Sequence, residues 1–170
     1  MSDGLTDAFR WIKPHNFKVS IIAAVGNNNE LGDDNGMLWY LPTDLKRFKD
    51  LTIGNTVIMG RKTHDIIGDL PGRTNYIVSK NIRGKNIFNR LDQSISSVNT
   101  EQCFLIGGQK IYEIGMEYVD KIYLTKIDKT FENATVFFPN INMDEWKIEW
   151  ESEKIEENNL SFKFINFIRK

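Results

Sequence analysis

The 170-residue sequence is poor in cysteine and histidine, and each shortage excludes a class of site. Its single cysteine, Cys103, cannot form a disulfide within the chain, which fits a reducing cytoplasm. Because Cys103 lies in the apolar run Cys-Phe-Leu-Ile, we predict a buried and unreactive thiol. The two histidines, His15 and His64, form no Cys/His pair with ligand spacing, so we expect no metal site.

Long apolar runs and an excess of one charge are also missing. No segment approaches the roughly 20 apolar residues that cross a bilayer, and the N-terminal region lacks the apolar stretch of a secretory signal. Lysine and arginine number 22 and aspartate and glutamate 23, so no global positive field exists to gather nucleic acid. We therefore expect a cytoplasmic protein that binds neither membrane nor nucleic acid. Its one domain is predicted at residues 18–170, after a loosely attached N-terminal extension at residues 1–17.

Apolar runs alternate with helical patterns along the chain. Lys18 to Val25 predicts a buried strand, and Asn27 to Met37 predicts a loop. A helix is predicted to begin at Pro42-Thr43-Asp44 with Thr43 as its N-cap, and a second helix to turn Ile66 and Ile67 inward. Further strands are predicted at 56–59, 75–79, 86–89, 102–106 and 121–127, and further helices at 91–98 and 109–119.

This alternation predicts an α/β fold, with a mostly parallel central sheet and helices on both faces. From Trp146 to Ile168 apolar and polar residues alternate, which predicts a C-terminal antiparallel hairpin on the sheet edge. Mostly parallel sheets bind ligands beyond the carboxyl ends of their strands. The chemistry is therefore expected in the segments after Ala24, Met59, Ser79 and Ile106.

Asp44 is the first candidate for chemistry. It stands at the start of a predicted helix, where an exposed carboxylate commonly complements the helix dipole. At helical spacing, however, Asp44 shares a face with Leu45 and Phe48. A carboxylate on an apolar face is costly unless it has a partner or a task, so a structural and a functional interpretation both remain open.

Strand ends supply candidate sites for anions. Gly60-Arg61-Lys62-Thr63 places two cations and a hydroxyl at a predicted helix start, where free N–H groups bind phosphate, and Ser79-Lys80 ends the next strand. The pair Gly107-Gly108 lets a ligand approach the backbone, although the GxGxxG pattern of an ordinary Rossmann fold is absent. Arg73 follows a tight turn and could hold a carboxylate by a bidentate contact. Alone, the basic segment at Arg61 and Lys62 is also compatible with a solvated turn, Arg73 with a surface arginine, and the glycine pair with an ordinary turn between strand and helix.

Taken together and in this order, these segments resemble dihydrofolate reductase from about Val19 to Lys170. The resemblance implies reduction of 7,8-dihydrofolate to 5,6,7,8-tetrahydrofolate by hydride transfer, in support of one-carbon and thymidylate metabolism. It implies NADPH as the cofactor, dihydrofolate as the small-molecule partner, and a monomer. The matching stretches include Gly36-Met37-Leu38-Trp39, Leu41-Pro42-Thr43-Asp44-Leu45, Val57 to Thr63, Leu70-Pro71-Gly72-Arg73 and Ile106-Gly107-Gly108.

The resemblance also implies a role for each site residue. Asp44 matches the carboxylate that binds the pterin, Thr125 its hydrogen-bonding supporter, and Trp39 the residue that positions a water; Arg73 matches the clamp on the glutamate tail. The substrate-binding positions match Ile22, Leu45, Phe48, Ile67, Leu70, Arg73, Ile106 and Tyr112. The cofactor-binding positions match Ala24, Leu31, Gly32, Met37, Gly60, Arg61, Lys62, Thr63, Ser79, Lys80, Gly107, Gly108, Gln109, Lys110 and Ile111, and the family joins the glycine pair by a cis peptide bond.

Two departures and two alternatives accompany the resemblance. Leu38 stands where bacterial members usually carry proline, which leaves the preceding loop more mobile or closing differently. Lys80 replaces a residue that is often serine or arginine, and its positive charge still favours NADPH. One alternative is the riboflavin-pathway reductase domain, which lacks the pattern of Trp39, Asp44 and Phe48. The other is a catalytically weak folate- and NADPH-binding or structural protein of the same fold.

Overall fold

A computed structural model describes residues 17–32 and 39–170. The predictions for the N-terminal extension, for Met37 and for Leu38 fall outside these ranges, except at Phe17. The strands are β1 (Lys18–Val25), β2 (Glu30–Gly32), β3 (Thr56–Gly60), β4 (Thr74–Val78), β5 (Ile87–Phe88), β6 (Gln102–Leu105), β7 (Lys121–Ile127), β8 (Val136–Phe137), β9 (Trp146–Glu151), β10 (Ile155–Glu157) and β11 (Leu160–Arg169). The helices are α1 (Pro42–Thr52), α2 (Arg61–Ile67), α3 (Leu91–Ser96) and α4 (Gln109–Gly115).

The main sheet is mostly parallel, as predicted. Within the described ranges its strand order is β10-β11-β7-β1-β6-β3-β4-β5, and β9 also pairs with β11. All pairs from β7 through β1 to β5 are parallel. Since β1 has neighbours on both edges and is covered on both faces, an almost continuous apolar sequence suits it.

Helices cover both faces of this sheet. Successive side chains of a strand point to opposite faces. In β3, Ile58 joins a buried cluster with Ile95 of α3 and Ile111 of α4. Its neighbour Val57 belongs to another cluster, against which Leu51 of α1 packs. Within the described ranges, no helix combines the length and the apolar character needed to cross a bilayer.

The predicted C-terminal hairpin is confirmed. β11 pairs antiparallel with β7 on one edge, and with β9 and β10 on the other. Asn158 and Asn159 join β10 to β11, and both have positive φ angles, of 52° and 63°. A two-residue turn with positive φ matches the twist of the flanking strands, and asparagine tolerates that conformation. The polar Asn-Asn pair therefore fixes where the chain reverses.

Two local predictions are wrong. Thr43 is not the N-cap of α1: Leu41 is, and the N–H and Oγ1 of Thr43 donate to Glu157 at 3.1 and 2.7 Å. Ile66 and Ile67 are not turned into the core, because they are 54% and 42% exposed. The reason in both cases is a tertiary contact. The carboxylate of Glu157 binds the Thr43 groups at the start of α1, and the apolar residues of α2 border a cavity.

The predicted loop after β1 also contains a strand. β2 pairs antiparallel with β8, in a sheet separate from the main one. The carboxylate of Glu30, only 2% exposed, accepts hydrogen bonds from the backbone N–H groups of Asn28 and Phe131 at 2.5 and 2.6 Å. This buried acid ties the segment after β1 to the segment after β7. The remaining predicted elements are confirmed with shifted ends, the helix predicted to reach Val119 ending at Gly115.

Candidate active site

Two adjacent cavities open where the carboxyl ends of the parallel strands meet the helices. The first, which we name the acid cavity because it contains Asp44, has a volume of about 520 Å³. The second, the basic cavity, has a volume of about 580 Å³ and is lined by the cations Arg61, Lys62, Lys80, Arg90 and Lys110. Thr63 and Gly108 line both cavities, so a molecule in one can touch a molecule in the other.

Asp44 projects into the acid cavity from the first turn of α1. Its Oδ1 accepts a hydrogen bond from Thr125 Oγ1 at 2.5 Å, and Thr125 is only 3% exposed. Burial raises the pKa of the Asp44 carboxyl, which the Thr125 hydrogen bond and the charge of Arg47 partly oppose; Glu157 raises it further. The structural interpretation of Asp44 as an exposed helix-start residue is therefore wrong, because the side chain faces an apolar cavity.

The walls around Asp44 are largely apolar. They come from β1, α1 and α2 and from the ends of β6 and β2, so residues distant in sequence meet around one space. All eight predicted substrate-binding residues line it, namely Ile22, Leu45, Phe48, Ile67, Leu70, Arg73, Ile106 and Tyr112. A flat heterocycle held by one carboxylate would fit such an enclosure, since small-molecule sites combine apolar walls with few polar groups.

Arg73 is the cation of the acid cavity that follows a turn. Its Nε donates to the carbonyl of Pro71 at 3.0 Å, and its Nη1 donates to Thr52 Oγ1 at 3.1 Å. The Thr52 hydroxyl in turn donates to the carbonyl of Phe48 at 2.8 Å. Burial lowers the pKa of Arg73, yet a guanidinium remains charged in proteins. These contacts fix the plane of the guanidinium and leave other N–H donors for a ligand.

The glycine pair lies between the cavities. The peptide bond from Gly107 to Gly108 is cis, as the resemblance implies. Gly107 has a φ of 122°, and an added Cβ there would meet the hydroxyl of Tyr112 at 3.2 Å, so glycine suits this position. That hydroxyl donates to the carbonyl of Ile22 at 2.9 Å, and burial raises its pKa.

The basic cavity gathers most of the predicted cofactor-binding residues. Arg61 also pairs with Asp65 at 2.8 Å, but both side chains are substantially exposed and this pair holds the guanidinium weakly. Gly60, Arg61, Lys62, Thr63, Ser79, Lys80, Gly108, Gln109, Lys110 and Ile111 line the basic cavity, and Ala24, Leu31, Gly32, Thr63, Gly107 and Gly108 line the acid cavity. Five cations beside an apolar cavity could hold a phosphate-bearing cofactor.

Among the described residues, two predicted site residues line neither cavity, namely Thr125, which donates to Asp44, and Trp39. Trp39 packs against Phe131, with ring centroids 5.0 Å apart. Its Nε1–H is buried and has no hydrogen-bond partner within the described part of the chain. A buried indole donor normally has a partner, so this group is suited to hold a water or a polar ligand atom.

Several lining residues were missed by the sequence reasoning. Lys49 lines the acid cavity one turn after Leu45, so helical spacing from Leu45 would have indicated it. Ala23 and Ile66 stand next to the predicted residues Ile22 and Ile67 in the sequence. Val136 of β8 carries no sequence signal, because β8 reaches the cavity through its pairing with β2. The missed residues of the basic cavity are Val78, Asn81, Asn89, Arg90, Leu91, Asp92, Ile114 and Tyr118.

Comparison with known proteins identifies the family of this chain. The family model described as dihydrofolate reductase matches residues 18–169. The chain belongs to the dihydrofolate reductase family. It is similar to the dihydrofolate reductase of Haemophilus influenzae, with 38% identity over 158 residues, which are 89% of this chain and 98% of the relative. It is also similar to that of Bacillus subtilis, with 34% identity over 160 residues, which are 89% of this chain and 95% of the relative.

The fold is that of a dihydrofolate reductase. A solved dihydrofolate reductase from Enterococcus faecalis, complexed with NADP(H) and RAB-propyl, superposes with a TM-score of 0.79. The superposition covers 91% of this chain and 98% of the other, at 23% sequence identity. The dihydrofolate reductase family match therefore agrees with the mostly parallel sheet and the C-terminal antiparallel strands described above.

Proposed function

We propose that this chain reduces 7,8-dihydrofolate to 5,6,7,8-tetrahydrofolate with NADPH. One observation carries the proposal: a carboxylate, Asp44, stands in an apolar cavity that adjoins a cavity with five cations. A carboxylate can pair with the amino group and ring nitrogen of a pterin through two hydrogen bonds. Thr125 orients this carboxylate, because its hydroxyl donates to Oδ1 and so leaves Oδ2 and the second lone pair of Oδ1 for the pterin.

The residues of the basic cavity suit NADPH. Positive charge for the pyrophosphate and the 2′-phosphate comes from Arg61, Lys62, Lys80 and Lys110. Because NADH lacks the 2′-phosphate, a site for NADH would not require the charge that binds it. Because the cavities meet at Thr63 and Gly108, a dinucleotide can extend from the cations to the side of the pterin. When bound, NADPH supplies the hydride. The backbone near Ala24 and Gly107 is open to the acid cavity and is positioned to bind the amide group of the nicotinamide.

The acid cavity assists the accompanying proton transfer. The carbon of a C=N bond accepts a hydride readily when the adjacent nitrogen is protonated. Among the described residues that line the acid cavity, Asp44 is the carboxylate that can assist this protonation. Burial raises the pKa of Asp44 toward the working range of acid–base catalysis. The buried Nε1–H of Trp39, which has no partner in residues 17–32 and 39–170, supports a role for that side chain in holding a water. Orientation of the ring by Asp44 and the apolar walls supplies a further part of the rate.

The same observations bear on the alternatives. A catalytically weak binding protein is not favoured, because curated relatives named dihydrofolate reductase match this chain over 98% and 95% of their lengths. The riboflavin-pathway reductase domain is not favoured either, since the family model of dihydrofolate reductase covers residues 18–169. We also propose that residues 18–170 act as one domain and that the chain works as a cytoplasmic monomer without nucleic acid; sedimentation analysis tests the monomer.

Oxidation of NADPH that depends on dihydrofolate, followed by absorbance, tests the proposed function. We expect turnover with the wild-type chain and a loss of about a hundredfold or more in Asp44→Asn at neutral pH. Activity of the variant should recover partly in acid, where solvent protonates the substrate beforehand. Asp50→Asn, which changes an exposed carboxylate of the same helix, is the matched control. A variant with the wild-type rate and pH profile would contradict the assigned role of Asp44.

A further inference from the structure

Arg47 is a half-buried cation on α1, one turn beyond Asp44 and outside both cavities. Its guanidinium lies between α1 and the antiparallel part of the sheet. The Cζ atom is 4.3 Å from the ring centroid of Phe164, 5.6 Å from that of Tyr123 and 5.8 Å from that of Trp150. Guanidinium groups are attracted to aromatic faces within about 6 Å, so three rings hold this side chain.

The polar partner of Arg47 is neutral. Its Nη2 donates to Asn166 Oδ1 of β11 at 2.7 Å. Among the described residues, no carboxylate comes within 4.0 Å of it to form a salt bridge. Burial lowers the pKa of Arg47, but a guanidinium does not lose its proton in a protein. The positive charge is therefore retained and is not neutralised by a contact.

We propose that Arg47 is a positioning residue whose fixed positive charge favours the ionised form of Asp44 in the acid cavity. The aromatic rings and Asn166 hold the cation in place of a carboxylate partner, so its field reaches Asp44 without local compensation. A direct salt bridge would occupy a carboxylate oxygen of Asp44. Arg47 forms no such bridge with Asp44, so Oδ2 and the second lone pair of Oδ1 stay available to the cavity. The inference that Arg47 tunes a pterin site rests on the proposed function. The electrostatic coupling between Arg47 and Asp44 does not rest on it.

Other polar and charged groups also act on Asp44. Thr125 of β7 donates to Asp44, Glu157 of β10 opposes its ionisation, and Tyr112 of α4 shares the cavity with its phenol protonated. Around Arg47, Tyr123 also contacts Lys121, with Nζ 4.8 Å from the ring centroid. Lys121 pairs with Glu149 at 2.9 Å, so that cation is balanced.

Titration of the Asp44 carboxyl carbon by NMR, in the ligand-free protein, tests the coupling directly. In Arg47→Met we expect the midpoint to move to higher pH, because a missing cation favours the protonated carboxyl. Lys46→Met is the matched control, since Lys46 is the adjacent residue of α1 and its side chain is 77% exposed and paired with Asp50. Its midpoint should stay at the wild-type value, because solvent screens an exposed charge. In Arg47→Lys, which keeps a positive charge, the midpoint should return most of the way to the wild-type value.

A second variant keeps the guanidinium in place. Asn166→Asp gives Arg47 a carboxylate partner and so neutralises it without opening a void. We expect its midpoint to move in the same direction as that of Arg47→Met, even if the latter folds poorly. Equal midpoints in wild type and Asn166→Asp, or equal shifts in Arg47→Met and Lys46→Met, would overturn the inference.

The pH profile of dihydrofolate reduction separates this inference from the proposed function. Loss of the cation raises the proton affinity of Asp44, so the alkaline limb of the Arg47→Met profile should move to higher pH. At a fixed pH on that limb, the rate relative to the optimum should rise about two- to fivefold. An NMR shift without any dihydrofolate reduction by the wild type would leave the coupling standing and refute the proposed function. An unchanged profile beside wild-type turnover would refute the tuning role alone.

Discussion

Arg73 provides the sharpest test of how the acid cavity selects its ligand. Its guanidinium is oriented from two sides, by Nε on the carbonyl of Pro71 and by Nη1 on the hydroxyl of Thr52. A carboxylate on the tail of folate would find the remaining N–H donors already in one plane, which favours a bidentate contact. We therefore expect Arg73→Ala to weaken binding of dihydrofolate and to leave a dihydropterin without the glutamate tail unaffected.

The magnitude follows from the geometry of Arg73. A hydrogen bond between charged groups contributes about 1.5–3 kcal/mol when it is well buried. Because Arg73 is partly exposed, about 1–1.5 kcal/mol for each of two bonds is appropriate, or about 2–3 kcal/mol in total. This corresponds to an increase of roughly 30- to 150-fold in the Kd of dihydrofolate. The tail-free dihydropterin should bind within about twofold of the wild type.

Fluorescence titration with both ligands measures the two constants. Thr52→Val adds a second step, because it removes one support of the guanidinium while keeping its charge. Thr52 is fully buried and cannot itself touch the tail, so we expect a smaller loss, of about three- to tenfold, confined to dihydrofolate. If Arg73→Ala weakened both ligands equally, the effect would come from damage to the cavity, and the clamp would be refuted.

Two further predictions concern the charges of the cavities. Burial raises the pKa of the Asp44 carboxyl in the folded chain, so this group contributes stability at low pH that is lost as the pH rises through the raised pKa. At pH 7 the free energy of unfolding of Asp44→Asn, measured in urea, should therefore exceed that of the wild type by about 1 kcal/mol. The difference should vanish in acid. Replacing Arg61 and Lys80 by alanine should reduce the NADPH-to-NADH ratio of kcat/KM by about tenfold or more, whereas Lys154→Ala, far from the basic cavity, should not change it. An Asp44→Asn gain that persists in acid, or an unchanged cofactor ratio, would contradict these assignments.

Periodicity and the residues at strand ends were enough to predict the framework of this chain. A strand buried on both faces, such as β1, must be apolar throughout, and the sequence from Lys18 to Val25 meets that demand. The carboxyl ends of such strands lie at one edge of the sheet. For that reason Arg61, Lys80 and Gly108 could be assigned to a common site before their distances were known, and the structure brings them to one cavity.

Features created by long-range contacts could not be predicted in this way. β2 is three residues long, and nothing in its sequence indicates that it pairs with β8, about a hundred residues later. Ile66 and Ile67 have the spacing of core residues, but a helix that borders a cavity exposes the same apolar face that a buried helix hides. Periodicity reports which residues avoid water and does not report whether protein or ligand covers them.

The start of α1 shows why the position of Asp44 depends on the whole fold. The N-cap residue, Leu41, has no side chain that can accept from the free N–H groups of the first turn. Glu157 accepts from the N–H and the hydroxyl of Thr43, across 114 residues of sequence, and Asn158 donates to the carbonyl of Tyr40 at 2.9 Å. The C-terminal hairpin therefore holds the helix that carries Asp44. The second strand of the same hairpin, β11, supplies Asn166 to Arg47. The hairpin therefore fixes both the place of the carboxylate and the cation that favours its ionised form.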